Sequence, residues 1–172
     1  MSVSRKIKLR VSVREIDRAL KELDEHKKWL KRKTNELVEA LTEYGVEVAK
    51  AQVRQLVNPD GENAWSTGQL EDSITGVFDP ASGVGVIKTD LWYAVYVEFG
   101  TGIVGEQQPH PDPIEWQYDS NDRGIEGWWY YNDRDHKWHH TWGYRSRTFM
   151  YNTAKILQED YMQIAREVFK RD

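Results

Sequence analysis

The strongest constraint on this chain is a repeat of apolar side chains through its first third. Val13, Ile16, Leu20, Leu23, Leu30, Leu37, Leu41, Tyr44, Val48 and Ala51 recur about every 3.5 residues, a period that gathers them on one side of an α-helix. A helical stretch over residues 13–57 excludes an all-β fold. It reads as one long helix or two in tandem, because Lys27 and Thr34 interrupt the seam and Gly45 is a weak point for a kink. The period also suits a coiled coil; the interruptions favour a helix packed on a sheet or on a neighbouring subunit. Asn58, Pro59, Asp60 and Gly61 close the stretch with a turn.

The pattern then changes. In "TGQLEDSI", Thr67 and Gly68 open a short turn ahead of Leu70 and Ile74. Three strand-like runs follow at 74–78, 84–88 and 92–99, joined by the Pro- and Gly-containing turn 79–83 and by Thr89-Asp90, which predicts an antiparallel meander over 66–102. In the last run, alternation puts Tyr93, Val95, Val97 and Phe99 on the buried face and Ala94, Tyr96 and Glu98 on the outer one. Gly100 and Gly102 then read as a pliable exit from the sheet. Residues 103–146 are rich in Trp, Tyr, His, Asp and Pro, and "GWWYYNDRDHKWHHT" predicts a second hairpin turning at Asn132, Asp133, Arg134 and Asp135. A last helix spans 147–170, capped by Ser146 or Thr148, with Met150, Ala154, Leu157, Tyr161, Ile164 and Val168 on one face. The expected fold is α+β in a single domain, residues 1–172. A long N-terminal helix and a C-terminal helix pack on an antiparallel sheet that carries an extra aromatic β-hairpin.

Composition removes several chemistries. With 172 residues, 39% hydrophobic and 30% charged, the chain suits a globular domain. It has no cysteine, which excludes disulfides, thiol nucleophiles and thiolate metal sites. No run approaches the roughly 20 apolar residues of a membrane span, and the basic start has no apolar signal region behind it. The protein is therefore expected to stay where it is made. Charge is unevenly spread: residues 1–60 carry 14 basic and 10 acidic side chains (net +4), and residues 61–146 carry 5 and 14 (net -9). Opposed regions of this kind suit contact between copies, or are two solvated faces.

Candidate sites are few. In "HKWHH" an extended chain sets His136 and His140 about 13 Å apart and turns His139 and His140 to opposite faces, so no metal site is expected; His110 lies between prolines near Asp112. "SGVGV" lacks a phosphate-binding lysine and reads as a turn. Glu115, Asp119 and Glu126 lie among Trp116, Trp128 and Trp129, a composition that also suits a carbohydrate-binding or glycan-processing module, although cross-strand pairing or an interface explains the aromatics equally well. Basic residues near the start of the chain and at 27–33 would carry any nucleic-acid contact, but acids interleave with them. Glu98 has no partner acid, nucleophile or ligand in the pattern. On an outer face it is a contact residue and not a catalyst.

Three stretches, "TGQLEDSI", "YAVYVEFGTG" and "TWGYRSRTFMYNTAKIL", resemble in order and spacing the head–tail joining and tail-completion proteins of long-tailed bacteriophages. Thr67, Gly68, Leu70, Ser73 and Ile74 match the first family motif. Tyr93, Ala94, Val97, Glu98, Phe99, Gly100 and Thr101 match the second. Phe149, Met150 and Ala154 match the third, where Thr148 stands in place of the usual proline and Asn152 also departs. The resemblance covers about residues 37–170. It implies a non-enzymatic virion assembly protein, without cofactor or metal, that forms a ring at the head–tail junction or the tail end. Its implied partners are copies of itself, connector or adaptor proteins and tail-tube or tail-terminator proteins, with DNA passing through the ring and no membrane. It would reside in the virion neck after assembly in the host cytoplasm. Tyr96, Glu98, Gly100, Thr101 and Gly102, with Trp128, Trp129, Trp138 and Trp142 of the hairpin, are the expected interface residues.

Overall fold

The computed structural model describes residues 12–56, 68–112, 115–118, 122, 125–133 and 135–170. The expected turn at 58–61, Thr67, Asp119, Arg134 and the basic residues 1–10 lie outside them. In chain order the elements are α1 (Val13–Arg54), α2 (Gln69–Ser73), β1 (Thr75–Asp79), β2 (Val84–Lys88), α3 (Ala94–Phe99), α4 (Gly102–Gln107), β3 (Trp128–Asn132), β4 (Lys137–Thr141) and α5 (Phe149–Val168). The architecture is α+β.

The periodic stretch is one helix of 42 residues. It starts at a capping box: Glu15 N–H donates to Ser12 Oγ at 3.3 Å, and Ser12 N–H donates to the Glu15 carboxylate at 3.0 Å, so two otherwise orphaned amides are satisfied. Gly45, the expected weak point, is instead buried at a crossing of three elements. A Cβ there would overlap the Ile87 side chain of β2 and press within 3.0 Å of Leu157 of α5. The missing side chain is what allows the approach.

Strands β1 and β2 form an antiparallel hairpin with Val77 opposite Val86, and it lies against α1 through bare backbone. Gly76 meets Thr42 and Val46, and Gly85 meets Thr42 and Val38. In "SGVGV", therefore, Gly83 is the turn residue, whereas Gly85 belongs to β2. Helix α5 runs antiparallel to α1: Asn152 Nδ2 reaches Gln52 Oε1 at 3.4 Å, Tyr44 OH donates to Asp160 at 2.6 Å, and the Trp29 and Phe169 rings meet edge-on at 5.9 Å. Residues 13–28 of α1 project past that last contact. The core is the cluster Ala49, Leu70, Ile74, Ala94 and Phe149, flanked by Val46, Val53, Ile87, Leu91 and Met150.

One element differs in kind from its expectation. The run 92–99 is not a third strand; it contains helix α3, so the meander has two strands rather than three. A six-residue apolar run satisfies both the strand and the helix period, and burial decides between them. Ala94 and Glu98, four apart, are buried with Val97 half-buried beside them, while Val95 is exposed. Glu98 thus belongs to the inward face, opposite to the placement that alternation gives it.

Candidate functional site

Helix α5 begins without a cap of its own. Thr148 occupies the N-cap position in a left-handed conformation (φ 45°), and neither its side chain, which accepts from Asn152 Nδ2 at 3.1 Å, nor that of Ser146 accepts a backbone N–H of the first turn among the described residues. The expected capping by Ser146 or Thr148 therefore does not occur; Ser146 Oγ donates instead to the backbone carbonyl of Glu98. The cap comes from α3, 50 residues earlier in the chain. Met150 N–H donates to Glu98 Oε2 at 2.8 Å and Tyr151 N–H to Glu98 Oε1 at 2.9 Å, which puts a carboxylate at the positive end of the helix dipole. Two main-chain bonds, Arg147 N–H to Val97 O at 3.1 Å and Thr148 N–H to Glu98 O at 3.2 Å, bind the same strip to α3.

His110 completes the arrangement. Its Nε2 lies 3.0 Å from Glu98 Oε1, and both side chains are buried. Its Nδ1 lies 3.0 Å from Asp112 N and 2.6 Å from Asp112 O. With Nε2 donating to Glu98, Nδ1 accepts the Asp112 N–H in the neutral ring and donates to Asp112 O in the charged one. His110 thus meets the backbone of Asp112, not its carboxylate. Around this pair, Phe99 stacks on Trp116 at 5.1 Å and lies 4.5 Å from His110, Tyr151 meets His110 edge-on, and Trp116 Nε1 donates to Gly100 O at 3.0 Å. Both oxygens of Glu98 are occupied by donors in a closed pocket. Held by three donors, the carboxylate acts as a structural clamp between α3 and α5.

The glycines after it are close-packing positions rather than a pliable exit. Gly100 is buried at φ 83° and ψ 173°, and a Cβ would overlap the backbone of residues 144–146. Gly102 is buried against the Trp142 carbonyl and the Trp128 ring. Between them, Thr101 and Tyr144 form an antiparallel bridge, and the Thr101 hydroxyl is buried without a hydrogen-bond partner among the described residues. Burial raises the Tyr144 phenol above its ordinary value and, with the charge of Arg145, lowers the neighbouring Arg147.

Strands β3 and β4 pair antiparallel, with Trp129 opposite His140, Tyr130 opposite His139 and Tyr131 opposite Trp138. The pairing sorts the side chains. Trp129, Tyr131 and Trp138 form an exposed face, continued by His140 and by Trp142, which is 51% exposed. Trp128 and Tyr130 turn to the half-buried side. His139 binds Asp135 at 2.7 Å and His140 lies between Trp129 and Trp142. Among the described residues no group of three or more acidic, His or Cys side chains could hold a metal.

The residues named from sequence therefore fall into two groups. Glu98, Gly100 and Gly102 are buried, with Thr101 half-buried among them; Trp129, Trp138 and Trp142 are exposed on the hairpin. Tyr96 is half-buried between Trp92 and Trp116, and Trp128 is half-buried beneath the hairpin. Sequence reasoning missed His110 as the partner of Glu98. The signal was "PHPDP", where flanking prolines fix a loop that turns an imidazole inward. No helix of the described residues is long and apolar enough to cross a membrane. A family model described as "Bacteriophage HK97-gp10, putative tail-component" matches residues 4–100. No curated protein and no solved structure gives a significant match.

Proposed function

The chain belongs to the HK97-gp10-like family of bacteriophage tail components, and from that membership we propose a non-enzymatic assembly protein that closes into a ring at the head–tail junction or the tail end. As a tail component it resides in the virion and contacts other virion proteins. In the proposal those contacts are copies of itself, the connector or adaptor above and the tail-tube or tail-terminator proteins below. The ring assembles in the host cytoplasm and DNA passes through it.

The observation that supports this reading is the aromatic hairpin. Trp129 and Trp138 are each 64% exposed on a two-stranded arm whose base is held by the bridge between Thr101 and Tyr144. Large exposed aromatics on an ordered support are the composition of interface anchors. Glu98 enters the interface indirectly, by setting α5 against α3, while Tyr96, Thr101 and Trp142 lie along the strip that joins arm to body. The engagement of both Glu98 oxygens supports a role without catalysis.

Complementation of a phage lacking this gene tests the reading. The chain with Trp129→Ala and Trp138→Ala should fold normally yet leave heads and tails unjoined, or tails incomplete, in electron micrographs, with a steep fall in plaque titre, because two interface anchors at about 2 kcal/mol each weaken the contact about a thousandfold. Intact particles at normal titre from the double variant would refute the hairpin contact. Normal particles from the deletion itself would refute the assembly role.

A further inference from the structure

The projecting part of α1 carries an apolar stripe that nothing among the described residues covers. Val13, Ile16, Leu20, Leu23 and Leu30 are 45–75% exposed, and with Lys27 they repeat at alternating steps of three and four. That is the strict two-in-seven spacing of a coiled-coil seam, narrower than the face a helix needs against a sheet. We propose that this stripe pairs with the same stripe of a second copy, antiparallel, about a two-fold axis between residues 21 and 22.

Charge selects the partner and the direction. Residues 13–26 carry five acidic and three basic side chains, and residues 27–33 carry five basic and none acidic. An antiparallel pair brings Lys27 and Lys31 of each copy to Asp17 of the other; a parallel pair sets the basic stretch 27–33 on itself and buries Lys27 against Lys27. In the antiparallel register Val13 meets Leu30, Ile16 meets Lys27 and Leu20 meets Leu23, so every seam position from 13 to 30 is used. The overlap ends where α5 begins to cover α1, at Trp29 and Phe169. Asp17 of each copy flanks the seam toward Lys31 of the other, and neither makes an ion pair within the chain among the described residues. The ammonium of Lys27 emerges beside Asp17 of the second copy, its stem lying over Ile16. Asp24 alone meets its own equivalent across the axis. An isologous contact closes at two copies, so it is separate from the contacts that close a ring, and its test does not depend on the assembly role.

Sedimentation velocity of the full chain over a concentration series reads the equilibrium. A reversible dimer is expected, and Leu20→Glu with Leu23→Glu should weaken it more than tenfold. Asp17→Lys or Lys31→Asp reverses two symmetric attractions and should weaken it about tenfold; the two together should restore it to within about threefold, and Asp24→Asn should tighten it. Orientation is read separately, because the chain has no cysteine of its own. Mixing a Leu20→Cys chain with a Leu23→Cys chain should give cross-links between unlike chains in excess over those between like chains. A chain monomeric at every concentration, a dimer indifferent to Leu20→Glu with Leu23→Glu, a charge swap no tighter than its single members, or a preference for like-chain cross-links overturns the proposal.

Discussion

Replacing Glu98 by alanine should unfold the junction between α3 and α5 before it disturbs anything else. The carboxylate accepts two backbone N–H bonds at 2.8 and 2.9 Å and faces His110 Nε2 at 3.0 Å. Removing it orphans two first-turn amides and one buried imidazole N–H. An unpaired buried polar group costs about 1–3 kcal/mol, and losing an anion at a partly buried helix start costs about 0.5–2 kcal/mol more. These terms overlap, so about 3–5 kcal/mol is expected, as for other broken buried pairs. Against a typical total stability of about 5–15 kcal/mol, that is a large fraction. Glu98→Gln keeps one acceptor oxygen but not the charge and should lose about half as much. Urea denaturation measures the change, and amide exchange at Met150 and Tyr151 locates it. The double variant Glu98→Ala with His110→Ala should lose less than the sum of the singles by about 1 kcal/mol, because the two side chains share one interaction. Stability of Glu98→Ala within about 0.5 kcal/mol of the parent, with exchange at Met150 and Tyr151 unchanged, would refute the clamp.

Other positions make sharper local claims. Gly45→Ala should destabilise by about 1–3 kcal/mol through overlap with Ile87, outweighing the gain in helix propensity of about 1 kcal/mol. Adding Ile87→Ala should recover part of that loss, as read by thermal melts. Gly100→Ala should lower the urea midpoint by the equivalent of about 2 kcal/mol or more, since φ 83° with ψ 173° is a region only glycine enters freely and residues 144–146 fill the space. The Tyr44 phenol is raised above its ordinary 10.0, first by its bond to Asp160, then by burial and by the charge of Asp160. Its contribution is fully present below pH 10.0 and is lost as pH climbs through the raised value, where phenolate and carboxylate repel. Tyr44→Phe should therefore be less stable than the parent at neutral pH, with the difference shrinking in alkaline urea melts.

The parts of the fold that sequence made legible are those where one period ran long enough to exclude the other. Helix α1 shows ten apolar residues at helical spacing, and β2 is bounded by turn residues on both sides, so both were readable within a few residues. The run 92–99 was not. Over so few residues Tyr93, Val95, Val97 and Phe99 fit a strand as well as Ala94, Val97 and Glu98 fit a helix, and only packing against Phe149 and the core separates them. The misplacement of Glu98 followed from that one ambiguity. Its real partners are two main-chain amides and a histidine 12 to 53 residues away, and amides leave no mark in a sequence. Likewise the glycines of β1 and β2 look like turn residues until α1 is seen to lie on them.

The matched family range stops at Gly100, two residues beyond Glu98, yet Glu98 holds the start of α5 at Phe149, 51 residues further on. The bridge at Thr101 and Tyr144 explains how both can be true. Thr101 N–H donates to Tyr144 O at 2.9 Å and Tyr144 N–H to Thr101 O at 3.1 Å, so the chain leaves the body and returns to it at one point. Between these closed ends the described residues of the aromatic hairpin form an excursion, while His110, nearer the start of it, turns back to Glu98. The hairpin's length and composition do not determine where α5 begins; Glu98, Val97 and His110 do. Loop closure adds only about 0.6 kcal/mol for each doubling of length, so an arm of this kind can be lengthened without moving the helices that carry it. Shortening the arm by removing residues 125–141 and joining the ends with a short glycine-rich link should therefore leave the bonds from Met150 and Tyr151 to Glu98 intact, read as unchanged amide exchange at those two residues. Loss of that protection would mean that the hairpin, and not the α3 clamp, holds α5 in place.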